Sequence, residues 1–472
     1  MTTAAPRFTV REIELYERPV KLRLPFRFGV VTLTHSPQAF VRARIELAGG
    51  PSAWGAAAEM MAPKWFDKNL ALTNEQNFEQ LRQTLRDARE AYLADASPAT
   101  GFGHFARNHD DCLKRGAARG FNPLLAGYGP AQVDRAVLDA LGRALGLSFY
   151  RAIRENAVGI DERLRPEFAG LGIEAFLARL RPASSIEARH TVGLVDAITS
   201  QDSTQRVNDG LPETLEEVVR TYGHRYFKLK VAGRVDADLA RLEAIAAVLD
   251  RSGEPYFASL DGNEQYESPE GVAQLVSGIR ERPRLARLWQ SILFIEQPIA
   301  RKTALQVDLR AADLGKPVIV DESDGELDSF VVARRHGYSG ISSKTCKGFY
   351  KSLLNAARCA AWNREENAER YFMSAEDLTT QAGLSVQQDL ALVNLLGVRH
   401  VERNGHHYVN GLAAEPEGEQ QAFLQAHPDV YVRSHGAVRL KIESGRIALG
   451  SLDCTGFASA AMPDFGRMTR LY

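Results

Sequence analysis

The chain changes its hydrophobic rhythm twice. Residues 8–46 alternate apolar and polar positions with the two-residue period of a half-buried strand: Phe8-Thr9-Val10-Arg11-Glu12-Ile13, then Phe40-Val41-Arg42-Ala43-Arg44-Ile45. Turn signals between the runs predict an antiparallel meander. From Asn74 to Leu93, and again from Pro130 to Leu145, the apolar spacing becomes helical. Residues 1–150 therefore read as an α+β domain. The stretch Asp95–Gly129 is rich in Gly, Ala and polar residues, lacks clear periodicity, and reads as a long loop or insertion.

After about Glu187 strands and helices alternate. Candidate strands begin near His190, Tyr226, Tyr256, Ile292, Pro317, Gly340, Tyr371 and Arg399. Helical stretches between them include Leu215–Tyr222, Ala237–Asp250, Pro269–Ile279, Ala304–Leu314, Tyr350–Trp362 and Ser385–Leu396. Eight such units over residues 187–405 predict a (β/α)₈ barrel of the TIM type, which takes roughly 250 residues. An open doubly wound sheet fits less well, because no GxGxxG joins a strand to a helix. Beyond Gly405 hairpin character returns, with Val438–Ile442 and Arg446–Leu449 around Ser444-Gly445. The segment 406–472 is expected to pack back on the N-terminal α+β domain.

The chemistry sits where the apolar runs end. Phe257–Asp261, Ile292–Glu296 and Pro317–Asp321 each end in a carboxylate, while Tyr226–Lys230 and Gly340–Lys344 end in lysine. The five charged ends follow one another at intervals of 23 to 35 residues, about one βα repeat each. Each acid alone has an ordinary reading: Asp261-Gly262 as a turn, Glu296 as a strand end, Asp321 as a helix cap. In register at the mouth of a barrel, three acids instead call for a hard divalent cation, and flanking lysines for proton transfer. Strand alternation puts Lys228 and Lys230 on one face, and Asp261 and Asn263 on one face. Lysines aimed into a barrel need carboxylates opposite, since unpaired buried charge is costly. Lys347 reads as a solvated surface lysine.

Composition excludes several classes of function. The chain has 472 residues, 44% hydrophobic and 25% charged, which is ordinary for a globular protein. With 58 basic and 59 acidic residues and a net charge of −1, no bulk attraction to nucleic acid is expected. Met1–Val10 has no apolar signal region, and no apolar run approaches the roughly 20 residues that span a bilayer. Cytoplasm is the expected location, and self-association into a homo-oligomer stays open. Cys112, Cys346, Cys359 and Cys454 are far apart without CxxC spacing, against a disulfide framework or a structural zinc site. The adjacent pair His406-His407 reads as turn rather than metal ligand.

Lys228-Leu229-Lys230, Asp261-Gly262-Asn263, Glu296-Gln297-Pro298, Asp321-Glu322-Ser323 and Lys344 together resemble the active-site series of the enolase superfamily. More narrowly they resemble its muconate-lactonizing branch, alongside the mandelate racemase-like enzymes. The match covers about Glu187 to Glu402. Pro25-Phe26-Arg27-Phe28-Gly29 and Ala53-Trp54-Gly55-Ala56 resemble that family's capping domain, which the C-terminal tail would complete.

The resemblance implies that Asp261, Glu296 and Asp321 bind Mg²⁺. It also implies that Lys230 and Lys344 face each other across the substrate as acid and base. Lys228 would lend positive charge and help keep Lys230 partly neutral. Asn263 and Glu322 would support the site, and Glu402 would contact substrate. The implied reaction removes the proton α to a carboxylate through an ene-diolate, giving a racemase, epimerase or cycloisomerase acting on a small-molecule carboxylate. Open alternatives are a lyase that dehydrates by β-elimination, a Schiff-base enzyme, and a barrel that only binds a ligand. Gly348-Phe349 departs from the family's Gly-Gly and is expected to narrow the pocket or shift the next helix. Against the family, the chain is longer at Asp95–Gly129, at a second insertion Ile198–Pro212 and in the tail. Glu402-Arg403-Asn404 lacks the DxD of dipeptide epimerases. Glu376-Asp377 reads either as contact for a polar substrate or as a helix start. Trp54, Met60, Met61, Trp65 and Phe66 read equally as pocket wall or as core.

Overall fold

The computed structural model describes residues 5–161, 172–202, 205–378 and 382–472. Positions 1–4 of the N-terminal stretch and positions 203–204 of the second insertion lie outside the described residues. Strands β1 (Phe8–Phe28), β2 (Val31–Leu47) and β3 (Ser52–Met60) form the expected antiparallel meander, with Phe8 opposite Leu47 and Gln38 opposite Met60. Helix Asn74–Ala94 starts at a capping box: Thr73 Oγ1 accepts from Gln76 N, and Gln76 Oε1 accepts from Thr73 N.

Helix Tyr128–Leu145 lies directly on this sheet, at a distance only glycine permits. A Cβ on Gly55 would stand 2.1 Å from Ala140 N and 2.4 Å from Ala136 O. Asp139, on the same helix, accepts from Ala56 N at 2.8 Å and from Phe457 N at 2.6 Å. Sheet, helix and tail therefore meet at one buried carboxylate. Gly55→Ala must force helix and sheet apart, so we expect a loss of about 2–3 kcal/mol, the cost of overpacking a closed core. The urea midpoint reads it; an unchanged midpoint would mean the helix can slide at no cost.

The Asp95–Gly129 stretch is not a loop. It holds helices Gly101–Ala118 and Pro123–Ala126, capped by Thr100 and Asn122. Its helical period escapes notice because buried positions carry glycine and polar groups. A Cβ on Gly116 would meet Ala126 Cβ at 2.4 Å. His104 Nε2 bonds Phe8 O at 2.9 Å, and Asn108 donates to His104 O at 2.9 Å.

All eight expected barrel strands form: β4 (Ser185–Val192), β5 (Tyr226–Lys230), β6 (Phe257–Asp261), β7 (Ile292–Glu296), β8 (Val318–Val320), β9 (Gly340–Ser343), β10 (Phe372–Ala375) and β11 (His400–Arg403). They run parallel in the order β11-β4-β5-β6-β7-β8-β9-β10. The last two strands meet through polar groups at their ends. Glu402 accepts from Asp377 N at 3.1 Å, and Asp377 from Asn404 N at 2.7 Å. Outward residues such as Phe227, Leu229, Leu260 and Ile295 pack with Leu242, Val272 and Leu275 of the surrounding helices.

One predicted helix is absent. Over Ala304–Leu314 there are only the turn Arg301–Ala304 and a 3₁₀ turn Leu309–Ala311. The Asp308 carboxylate accepts from Arg310 N at 2.9 Å, a local bond that competes with helix formation. Helices Ala286–Ser291 and Ser329–Arg335 occur where none was predicted.

In the tail, β12 (Tyr431–Ser434) pairs with β13 (Ala437–Leu440). β14 (Arg446–Ala448) pairs antiparallel with β4, and β15 (Thr469–Arg470) pairs with β1. The hairpin expected around Ser444-Gly445 thus gives way to barrel pairing. β14 takes Ser185–Glu187 of β4, whereas β5 begins its pairing only at Arg189. The tail also reaches the N-terminal half, where Phe457 stacks on Phe149 at 4.1 Å. All four cysteines are free. Among the described residues no helix is long and apolar enough to cross a membrane.

Candidate active site

Strand register levels the charged ends. Lys230 is opposite Asp261, and Asp261 opposite Glu296. Asp321 follows β8 directly, and Lys344 follows β9. The parallel pleat turns Lys228 and Lys230 inward and leaves Phe227 and Leu229 in the helical layer. The structure brings Lys228, Lys230, Asp261, Glu296, Asp321 and Lys344 into one buried cluster.

Lys228 Nζ is at its centre, 2.9 Å from Asp261, 2.8 Å from Glu296, 2.8 Å from Glu376 and 2.9 Å from Glu402. Lys230 Nζ lies 2.6 Å from Asp261 Oδ2. Asp321 accepts from Lys344 Nζ and from Ser342 Oγ at 2.6 Å, and pairs with Lys347 Nζ at 2.8 Å. Asn263 N donates to Asp261 Oδ1 at 2.8 Å, and its side-chain amide donates to Glu322 at 3.0 Å. The Gln297 side-chain oxygen accepts from Asp321 N at 2.8 Å and Ser323 N at 3.1 Å, fixing that turn. Asn263, Glu264 and Gln297 all hold positive φ, at 39°, 67° and 33°. Such strain gathers where surrounding contacts over-determine a functional loop.

Several expectations change. Glu376 is clamped between Lys228 and Arg189, 2.6 Å away, and does not line the pocket, whereas its neighbour Asp377 does. Glu402 lines the pocket, yet its carboxylate is already engaged by Lys228, Thr191 and Asn404. Lys347 is buried on Asp321 and the Ser342 carbonyl rather than solvated. Phe349 is core, against Tyr350 and Phe457, and does not narrow the site. Of the five residues read as wall or core, Trp65 lines the pocket, with Lys344 Nζ 4.5 Å from its ring centre. Met60, Met61 and Phe66 are core, and Trp54 lies under Arg42. Arg189 was not anticipated, because a strand arginine gives no local sign that it points inward.

The charges are strongly interdependent. Burial alone would push Asp261, Asp321 and Glu402 up, but the lysines outweigh it and hold all three low, Asp321 and Glu402 well below the usual range. Burial would lower Lys344, and Asp321 reverses that, holding it above the ordinary lysine range. Glu296 goes the other way: burial, Asp261 and Glu376 push it well up against the pull of Lys228. Burial and neighbouring Asp321 and Glu264 raise Glu322 to about 7.

Above the cluster is a small pocket. Phe26, Phe28, Leu33, Ala62, Trp65 and Leu378 form its apolar side, and Lys230, Lys344, Asp321 and Asn263 its polar side. Trp65 is held there from the barrel: Arg301 donates to Trp65 O at 2.7 Å and Phe66 O at 3.0 Å, while gripping Glu264.

A hard cation suits the donor set, which is all carboxylate oxygen. Glu296 Oε2, Glu322 Oε2 and Asn263 Oδ1 are buried with no hydrogen-bond partner among the described residues. Asp261, Glu296 and Asp321 are the residues that would hold such an ion, in place of the lysines Lys228, Lys344 and Lys347 that lie against them. Among the described residues, the group of three whose ligand atoms all lie within 4.8 Å of one another is a different one, His190, His224 and His406.

Comparison with known proteins places this architecture. Residues 210–419 match the family described as enolase C-terminal domain-like. Chloromuconate cycloisomerase of Pseudomonas putida is 29% identical over 147 residues, 31% of this chain and 37% of that enzyme. The chain thus matches little more than a third of that curated relative's length. Muconate lactonizing enzyme from Pseudomonas fluorescens, solved with muconolactone, superposes with a TM-score of 0.58 at 19% identity, over 99% of this chain and 98% of that one. Dipeptide epimerase from Enterococcus faecalis V583, solved with Mg and L-Leu-L-Tyr, gives 0.60 at 15% identity, over 95% and 99%. At such identities these two likenesses are of fold.

Proposed function

Because its barrel belongs to the enolase superfamily, in the mandelate racemase/muconate lactonizing branch, we propose that this chain is a Mg²⁺-dependent enzyme that removes the proton α to a carboxylate. One observation supports this above others. Lys230 and Lys344 come from the second and sixth of eight strands, on opposite sides of the barrel, and both line the pocket above Asp261, Glu296 and Asp321. On this reading residues 187–405 are the catalytic barrel, with 1–150 and 406–472 as its cap, and the enzyme works in the cytoplasm.

A proton next to a carboxylate is very weakly acidic, and its loss leaves an ene-diolate dianion that needs concentrated positive charge. Asp261, Glu296 and Asp321 would hold Mg²⁺, which would supply Lewis-acid charge at the substrate carboxylate. Lys230 and Lys344 approach the α-carbon from opposite faces, one taking the proton and the other returning it. Lys228, engaged by four carboxylates, holds the array in place. Asn263 and Glu322 brace the Asp261 and Asp321 loops. The apolar pocket side favours a small carboxylate with an apolar or unsaturated body, and so racemisation, epimerisation or cycloisomerisation, with β-elimination as the alternative outcome. A dipeptide ammonium would find Arg403 and Asn404 at the eighth strand, with Arg403 committed to Asp389.

Deuterium exchange into such carboxylates in D₂O tests the reading. Exchange is expected with Mg²⁺, and chelator should reduce it by at least about 10³-fold, several kcal/mol of lost charge stabilisation. Re-added Mg²⁺ should restore it. Exchange that persists in metal-free protein, or borohydride trapping of a substrate adduct, would end this proposal.

A further inference from the structure

We propose that His190, His224 and His406 form a second metal site, for a nitrogen-preferring divalent ion of the Zn²⁺ class, at the seam where the barrel closes. His190 is on β4, between Arg189 and Thr191, which turn into the barrel to reach Glu376 and Glu402. Alternation therefore sends His190 to the other side of the strand, away from the carboxylate cluster. His224 precedes β5, and His406 lies in the short turn Gly405–Tyr408 after β11. One nitrogen from each ring lies within 4.8 Å of both others.

Tetrahedral zinc with bonds of about 2.0–2.1 Å needs its nitrogens about 3.3 Å apart. His190 Nδ1 and His406 Nε2 are already 3.2 Å apart. His224 is oriented for coordination. Its Nδ1 bonds the Ala188 carbonyl at 2.9 Å, so the proton sits there and the Nε2 lone pair is free. Metal-binding histidines are commonly anchored through their other nitrogen in this way.

The unmet nitrogens argue against plain packing. His224 Nε2, the lone pair offered to the ion, and His407 Nδ1 are buried with no hydrogen-bond partner among the described residues. Native cores rarely leave so many polar atoms unpaired in one place. Burial holds these histidines below the ordinary range, His224 at about 4, with neighbouring rings adding to it at His190, His406 and His407, so each stays neutral. Nearby cations are already neutralised: Arg23 pairs with Asp209 at 2.6 Å, and Arg403 with Asp389. Neutral imidazoles suit zinc-like ions, whereas Mg²⁺ requires oxygen. His407, whose ring is 5.1 Å from that of His190, or a water can complete the coordination. His406 also lines a surface cavity with Tyr222 and Arg439. An ion here would tie the first strand, the second and the segment after the eighth.

The test uses full-length protein stripped by chelator, given excess Mg²⁺ and then Zn²⁺ or Co²⁺. One Zn²⁺ per chain should survive gel filtration, and bound Co²⁺ should show the intense visible bands of a tetrahedral site. His224→Ala and His406→Ala should each weaken retention at least about tenfold, while Glu296→Gln retains the ion. If His224→Ala fails to fold, His406→Ala at the cavity edge gives the same reading. Wild-type protein that keeps no Zn²⁺ against Mg²⁺, or histidine variants that bind like wild type, would overturn the proposal.

Discussion

Lys230→Ala and Lys344→Ala are each expected to lower kcat by about 10²–10⁴-fold, the range lost when a positioned acid or base is removed. KM should change much less, because each variant keeps the opposite lysine and the acids below. Both should stay folded. Without Lys344, Asp321 still has Lys347 and Ser342; without Lys230, Asp261 still has Lys228 and the Asn263 amide. Circular dichroism checks this. For a racemising or epimerising enzyme the loss is also face-specific: each variant should still exchange one substrate enantiomer with solvent deuterium while failing on the other. Two variants that both exchange both enantiomers at wild-type rates would remove the two-base proposal.

Lys228→Met is expected to act on stability more than on any single chemical step. Lys228 is fully enclosed, and Asp261, Glu296, Glu376 and Glu402 all take its charge. Breaking a buried ion pair by deleting one partner costs about 3–5 kcal/mol, because the remaining charge stays desolvated. Four acids share the loss here, so that figure is a lower expectation. Of the four, Glu376 keeps Arg189 and Asp261 keeps Lys230, whereas Glu296 keeps no cation within ion-pair distance among the described residues. Added Mg²⁺ should recover part of the loss in the variant and raise its urea midpoint more than that of wild type. A midpoint equal to wild type without added metal would show that the cluster tolerates four acids unaided.

Five of the eight barrel strands, β5 to β9, were most legible because each is a short run with an abrupt charged end, and those ends recur at the interval of one βα repeat. Helices with clean capping, such as Leu215–Tyr222 behind Thr214, were equally plain. The region 101–118 was not, since its buried face carries Gly103, His104 and Asn108 in place of aliphatic residues. The tail pairing was hidden for a different reason. β14 is drawn to the free edge of β4, more than 250 residues earlier, over its neighbour β13.

Local order along the chain, then, was enough to state which side chains stand at the strand ends and at what height, because alternation and register are short-range properties. It could not state who partners them. That Lys228 is held by Glu376 and Glu402, that Lys347 is buried, and that His190, His224 and His406 adjoin were decided by closure of the barrel. Closure puts the first strand beside the eighth, and the energy of a buried charge or an unpaired ring nitrogen depends on such neighbours rather than on adjacent residues.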